Sequence, residues 1–346
     1  MRAAYVVINC IMTKQTRIPL CIVGCGRHAK RVLDIIHDMT DVVELYFASR
    51  DLYKAKTYSD DYGGSGYFGS YEEAALDPRI QAMYFFTPHD LHLENVKLAA
   101  RHGKHILLEK PIGRTISECE DIIKTACDAN VKLMVAENFR FLPTIGKCKE
   151  LISQGVIGEL RVVRAEHEGY DAGPVAGWRT SIARSGGGRF IDGGVHYVDI
   201  MVDLAGMPES VYALTESPKV IPDHEGEDGI MVMARLPNNV TGLIHYSGGT
   251  PVNKPYNWVQ ITGTTGTFGF DPHGDEITLY TRACKEKIQV GTDRRGWGAM
   301  VKEFQNCIID DRESIMSGQE ALKDVAVVLA AYRSAQQGTP IAVSTR

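Results

Sequence analysis

Asp192 and His196 stand four residues apart in the stretch Gly186 to Ala205, GGGRFIDGGVHYVDIMVDLA, and on a helix that spacing puts a carboxylate and an imidazole on one face. At about 100° per residue, Asp199 and Asp203 extend the same stripe, roughly 60° wide. Val195, Tyr197, Val198, Ile200, Met201, Val202 and Leu204 make the remainder apolar or aromatic. A helix apolar on most sides is buried, and burying carboxylates and an imidazole costs several kcal/mol unless each is paired, neutralised or used. Two readings follow. In one, Asp192 is an N-cap and the other three are satisfied core or rim groups. In the other, Asp192 and His196 are a proton-handling pair that opens into a cleft. His196 then titrates near neutrality, and Asp192 fixes its tautomer and supports its positive form.

A third candidate, Lys110, follows the apolar run His105 to Leu108 and precedes Pro111, which disfavours a helical conformation for it. Its ammonium should therefore project from the end of a strand. What that strand end faces is suggested by Pro19 to Val23, an apolar run that enters Gly24-Cys25-Gly26-Arg27-His28-Ala29 and then Val32, Leu33, Ile35 and Ile36. Strand, glycine turn and helix in this order form a GxGxxA dinucleotide fingerprint. The first glycine makes the turn, the second admits a pyrophosphate to the backbone, and the small Ala29 lets helix and strand pack closely. The next strand, Val42 to Ala48, ends in Ser49-Arg50-Asp51, where an acid would bind the ribose diol of NAD and an arginine the 2′-phosphate of NADP. Ser49 and Arg50 suit a phosphate, so the reading leans to NADP, while Asp51 one register on keeps NAD open.

The alternation continues with helices over Ser70 to Leu76, Asp90 to Arg101 and Ser117 to Ala129, and strands over Ile80 to Phe86, His105 to Leu108 and Lys132 to Ala136. This predicts a doubly wound parallel sheet that binds its ligand at the carboxyl ends of the strands. Thr87, Pro88, His92, Glu109, Lys110 and Asn138, at or just beyond those ends, are the further cofactor-contact candidates. His89 and His92 could be imagined as metal ligands but read better as capping and surface groups, and no metal site is expected.

At 346 residues, with 44% hydrophobic and 23% charged residues, the chain is of a size and composition for two soluble domains. A net charge of −5 leaves no basic footprint for nucleic acid. Eight scattered cysteines without a CxxC pair fit reduced thiols in a cytoplasmic protein. The short apolar run through Met12 lacks a cleavage pattern, and no stretch is long enough to cross a membrane. Residues 1–16 read as a loose extension, or Met12 as the true start.

GCGRHA, TPHDLH, GKHILLEKP, AENFRFLP and GGGRFIDGGVHYVDIM, in that order, together with GQEALKDVAVVLAAYRSAQQGTPI near the end, resemble the Gfo/Idh/MocA family of oxidoreductases from about Arg17 onward. The resemblance implies an α/β fold. Residues 1–138 would form an N-terminal Rossmann domain, and residues 139–346 a C-terminal α+β domain on a large open, mostly antiparallel sheet, used for substrate binding and for assembly into a homodimer or homotetramer. Strand-like segments at Leu160 to His167, Gly229 to Leu236, Val240 to Tyr246 and Trp258 to Thr262, a hairpin turn at Pro237-Asn238-Asn239, and helices over Trp297 to Ile309 and Gly318 to Gln336 agree with it.

By the same resemblance Lys110, Asp192 and His196 meet beside a nicotinamide, and the activity is reversible oxidation of a secondary alcohol on a sugar, inositol or related polyol. His196 would be the base, Asp192 its orienter and Lys110 the cation on the developing alkoxide, although some members use the lysine as base. Arg140, Tyr170, Trp178 and Arg179 are substrate-contact candidates, with Tyr246 and His245 weaker. The same scaffold also serves glycosidases that oxidise their substrate transiently on a retained NAD, and NADP-sensing regulators without catalysis. The combination of Lys110, Asp192 and His196 argues against the regulator. Substrate identity is left to loops such as Tyr170 to Ser185.

Overall fold

Apolar runs of four to six residues, each followed by a turn and a helix, dictate a buried parallel sheet, and the first half of the chain builds one. The structure is a computed structural model that describes residues 17–170, 177–252 and 256–345; the readings made for residues 1–16, Met12 included, lie outside these. Strands β1 (Ile18–Val23), β2 (Val43–Ala48), β3 (Gly66–Phe68), β4 (Ala82–Phe85), β5 (His105–Glu109) and β6 (Leu133–Ala136) lie in the order 3-2-1-4-5-6, all parallel. Helices α1 (Arg27–Ile36), α2 (Leu52–Asp61), α3 (Tyr71–Leu76), α4 (His92–Arg101) and α5 (Ile116–Asp128) connect them. Helix α2 has no counterpart in the sequence reading, because LYKAKTYSDD buries only Ala55 and Ser59 and so carries no apolar stripe. β5 lies between β4 and β6, so Lys110 leaves the middle of the sheet.

The second half turns on α6 (Pro143–Ser153) into β7 (Leu160–Glu168), then α7 (Ile182–Ser185) and α8 (Val195–Ala205). Strands β8 (Ser210–Thr215), β9 (Gly229–Arg235), β10 (Thr241–Ser247), β11 (Tyr256–Gly263), β12 (Gly266–Phe270), β13 (Glu276–Thr281) and β14 (Lys285–Gln289) follow, with helices α9 (Trp297–Ile309) and α10 (Gly318–Gln337) and strand β15 (Ile341–Ala342) closing the chain. The nine strands form one sheet in the order 14-13-12-11-7-10-9-8-15, antiparallel except for β7 against β10. One face is apolar, with Val163, Ala165, Val232, Ile244, Val259 and Ile261 buried in one core with residues of α8 and α10. The other face carries Leu214 and Met231, directly paired and about half exposed, together with Met233.

The two sheets are tied by the last helices. Trp297, Met300, Val301 and Phe304 of α9 join the core formed by α1 and one face of the parallel sheet. Leu322 and Val325 of α10 join the core on its other face, while Val327, Val328 and Ala331 enter the core of the large sheet. Trp297 therefore stands beside His28 of the glycine turn, ring centroids 6.0 Å apart, although the two are far apart in sequence.

Candidate active site

Five strand ends of the parallel sheet supply one wall of the site. At the first, Gly24 has φ +98° and a β-carbon there would press on the Phe86 carbonyl, so a side chain is excluded twice. Gly26 caps α1 without any side-chain hydrogen bond, and the space its side chain would take is open. An uncapped helix N-terminus behind a bare backbone is a cradle for a pyrophosphate, so these residues fit a dinucleotide. Arg27 is exposed at the first turn of the helix.

At the second end Ser49 is buried, and its hydroxyl accepts the Asp51 amide at 3.2 Å. Asp51 in turn caps α2 by accepting the Lys54 amide on one carboxylate oxygen. Arg50 is exposed.

Thr87 and His92 are interior groups. Asn95 donates to the Thr87 hydroxyl at 2.6 Å, and His92 is fully buried with Nδ1 3.0 Å from the Pro111 carbonyl and Nε2 3.2 Å from that of Thr87. His89 is likewise buried, with Nδ1 2.8 Å from the Ser185 carbonyl. The expectation that both histidines are surface groups is therefore overturned: helix α4 packs them under the loop after β5. Burial pushes both below the ordinary imidazole range. Among the described residues no cluster of His, Cys, Asp and Glu could hold a metal. Pro88 lies half-buried between Thr87 and His89.

Glu109 accepts the Tyr84 hydroxyl at 2.7 Å and faces His28 Nε2 at 3.2 Å. Burial works against its charge, but His28, Lys110 and Tyr84 hold it below the usual carboxylate range. Asn138 donates to the Arg295 carbonyl at 2.7 Å, so its amide is spent on fastening the loop before α9.

The second wall comes from the glycine-rich stretch. Phe190–Gly194 forms a π turn ahead of α8, where the sequence reading placed ordinary helix from Asp192. The turn is tied down from outside: Gly188 and Phe190 donate to the Glu227 carboxylate at 3.0 and 2.8 Å, and Ile191 donates to the Tyr332 hydroxyl at 3.1 Å. A β-carbon at Gly188 would collide with the Glu227 backbone, and one at Gly193 with the Tyr246 hydroxyl. Those glycines are required by close approach rather than by flexibility.

The wide turn separates the two groups that an α-helix would have stacked. Asp192 points to cations: Arg179 Nε at 3.0 Å, Lys110 Nζ at 3.7 Å and Arg189 Nη1 at 3.8 Å, with His89 Nε2 at 3.9 Å, and Lys110 also donates to the Asp192 carbonyl. Burial opposes its ionisation, yet Lys110, Arg179, His89 and Arg189 together hold it well below the carboxylate range. His196 instead points to Glu137, with Nδ1 2.6 and 2.8 Å from the two carboxylate oxygens. Its ring lies flat on Phe139, centroids 4.2 Å apart and planes at 6°.

The orienter of His196 is thus Glu137 and not Asp192. The signal was present, since Glu137 sits at the carboxyl end of β6, but sequence spacing alone favoured the nearer acid. Burial, with the Lys110 charge adding to it, pushes His196 well below the ordinary imidazole range rather than near neutrality. Burial pushes Glu137 up to about 7.

Arg140 is not at the site. Its guanidinium meets Asp199 at 2.7 Å and Asp203 at 3.5 Å, so it answers the lower half of the acidic stripe from inside the protein. Asp199 is nevertheless pushed up to about 7 by burial, and buried Asp324 is raised for the same reason. Trp178 packs edge-on against His89 at 4.3 Å and beneath the Arg179 guanidinium at 4.4 Å, so these two stand at the cluster. Tyr170 is exposed and bridges to Gly249. Tyr246 lies under Gly193, whereas His245 is on the opposite face of the sheet, 2.9 Å from Glu216.

Residues 18–137 match a family model described as an oxidoreductase family with an NAD-binding Rossmann fold, and residues 145–269 match the GFO/IDH/MocA C-terminal domain. Trans-1,2-dihydrobenzene-1,2-diol dehydrogenase of Mus musculus is 32% identical over 221 residues, 63% of this chain and 63% of that protein, so the chain spans somewhat less than two thirds of that curated relative. The 1,5-anhydro-D-fructose reductase of Ensifer adhaerens is 28% identical over 254 residues, 73% of this chain and 71% of its own. Among solved structures, the aldose-aldose oxidoreductase of Caulobacter crescentus, complexed with glycerol, superposes with a TM-score of 0.86 at 26% identity over 94% of this chain and 100% of that one.

Proposed function

This chain belongs to the Gfo/Idh/MocA oxidoreductase family, and on that premise we propose that it is a nicotinamide-dependent dehydrogenase or reductase acting on a secondary alcohol of a sugar, inositol or related polyol. The observation that carries the proposal is the meeting of Lys110 from the parallel sheet with Asp192 from the second half, 3.7 Å apart, next to a histidine held by a buried carboxylate. Gly24, Gly26 and the start of α1 would hold the cofactor, which when bound would supply the hydride-accepting nicotinamide. Everything else is done by side chains of this chain.

His196 is the base. With Nδ1–H donated to ionised Glu137, its Nε2 lone pair faces outward to take the hydroxyl proton. Burial keeps the ring neutral and therefore able to accept. Lys110, fixed by the Asp192 carbonyl and carboxylate, holds the substrate oxygen and stabilises the negative charge that grows on it. Asp192 acts as the anchor of Lys110 and Arg179. In the reducing direction the same groups return the proton.

For the cofactor we favour NADP. Arg50 is exposed at the end of β2, where a guanidinium suits a 2′-phosphate, whereas Asp51 has one carboxylate oxygen engaged in capping α2.

The deciding experiment is to release and identify any nucleotide that co-purifies, titrate NAD and NADP, and then screen polyols for reduced-cofactor absorbance. Freely exchanging NADP with a polyol-dependent signal supports the proposal. Retained NAD with no net reduction would replace it by the glycosidase class. Arg50→Ala should weaken NADP by about tenfold or more and leave NAD nearly unchanged; equal losses would refute the cofactor preference.

A further inference from the structure

Arg179 is held more firmly, and used less fully, than a rim arginine of purely electrostatic purpose would be. Its Nε donates to Asp192 at 3.0 Å. Its guanidinium lies 4.4 Å from the Trp178 ring, and Trp178 is itself braced on buried His89, whose Nδ1 is 2.8 Å from the Ser185 carbonyl. Stacking and one hydrogen bond fix the plane of the fork, so the rotamer entropy that a free arginine would lose on binding is largely spent already. Yet the side chain is 41% exposed, and among the described residues neither terminal nitrogen has a hydrogen-bond partner. Asp192 does not need this cation to stay ionised, because Lys110 stands 3.7 Å from its other oxygen.

Among the described residues, the acids around the site are committed elsewhere. Glu109 is engaged by Tyr84 and His28, Glu137 by His196, Asp90 by Arg184 at 2.8 Å, and Glu225 by the Ile182 amide at 2.8 Å. Among the described residues, the charge left on this rim is the unused edge of Arg179, two parallel N–H groups that match the two oxygens of a carboxylate.

The geometry points to a sugar acid as the substrate class: a polyol whose carboxylate is held by Arg179 while its reacting hydroxyl lies at Lys110 and His196. Arg179 and Lys110 both touch the same carboxylate, so a molecule no longer than a sugar reaches both. The inference rests on the dehydrogenase reading for the position of the hydroxyl, but the carboxylate site stands on Arg179 alone.

The test uses the nucleotide-loaded protein and matched pairs: D-glucuronate against D-glucose, D-galacturonate against D-galactose, and D-glucose 6-phosphate as a third anion. Binding is measured by calorimetry and turnover by cofactor absorbance. The carboxylated member of at least one pair should bind about tenfold tighter or better, as one charge-assisted bidentate contact provides, and the advantage should shrink as salt is raised. Arg179→Met should collapse the ratio between the members of that pair, and Arg179→Lys should restore part of it.

Neutral sugars binding as well as the acids would overturn the inference, as would an Arg179→Met change that weakens both members equally. A preference for the phosphate over both uronates would overturn the carboxylate assignment. Arg179-dependent binding of a uronate without any cofactor reduction would leave this site standing and remove the dehydrogenase reading. Efficient turnover of neutral polyols alone would do the reverse.

Discussion

At the scale of single residues, the chemistry rests on which carboxylate each catalytic group answers to. His196→Ala and Lys110→Ala should each lower kcat by roughly 10²- to 10⁴-fold, with the cofactor Kd changed little, as checked by steady-state rates beside nucleotide titration; preserved turnover in both would sink the assignment. Glu137 makes a sharper prediction through pH. Its carboxyl, pushed up to about 7 by burial, is protonated below that point and can then donate to His196 Nδ1, which moves the ring proton to Nε2 and leaves no base. Above it the carboxylate accepts from Nδ1 and frees Nε2. Oxidation should therefore accelerate as pH rises through about 7. Glu137→Gln should lower kcat by on the order of 10²-fold or more and erase that limb of the profile. A merely structural Glu137 would leave the limb in place. The pairing of His196 with Glu137 was not legible from spacing, because residues 59 apart in sequence meet only when the chain folds; the identity of His196 as a group needing a partner was.

At the scale of elements, the π turn Phe190–Gly194 separates His196, proposed as the base, from the cation-paired Asp192. It is shaped by Glu227, whose carboxylate takes two amides, and by the lack of β-carbons at Gly188 and Gly193. Gly188→Ala would drive a methyl into the Glu227 backbone, which cannot yield as a flexible side chain could. We expect a loss of about 1–3 kcal/mol, read as a lower Tm or denaturant midpoint. A drop in kcat out of proportion to the fraction folded is also expected, because both Asp192 and His196 are aimed by this turn. Unchanged stability would mean that the turn is looser than its contacts imply. The sequence announced a helix here through its apolar residues, but an extra residue per turn leaves almost no trace in a periodicity.

At the scale of the whole molecule, a buried acidic seam lies between the two sheets. Asp199 and Asp324 are both buried, with Arg140 at 2.7 Å from Asp199. Both carboxyls are raised by burial, Asp199 to about 7. A raised folded-state pKa gives stability that is complete below the unfolded value and is lost as pH climbs toward the folded one. Asp324→Asn, which keeps an amide where the acid was, should therefore match the parent in acid and exceed it in stability above neutrality. Denaturant melts at several pH values would show this, and an equal or larger deficit at high pH would refute it.

The outward face of the large sheet bears on assembly. We propose that copies pair through it as a homodimer or homotetramer, with Leu214, Met231 and Met233, 55%, 53% and 56% exposed, as the apolar contact. Light scattering should then give a mass of two or four chains for the parent and a smaller one for Met233→Glu; a monomeric parent would dispose of the idea. No helix among the described residues is long and apolar enough to cross a membrane.

The sequence by itself determined the parallel sheet, the glycine turn, the strand end that delivers Lys110, and the stretch that delivers Asp192 and His196, because each depends on local periodicity or on conformations that only glycine and proline favour. It also marked Arg179 as a group for a substrate. Only the tertiary structure decided that Glu137 holds His196, that Asp51 caps α2, that His92 is interior, and that Arg140 pairs with Asp199 and Asp203. Charge and burial are set by neighbours distant in sequence, and a polar side chain takes whichever partner the packing of two sheets and α8 leaves within reach.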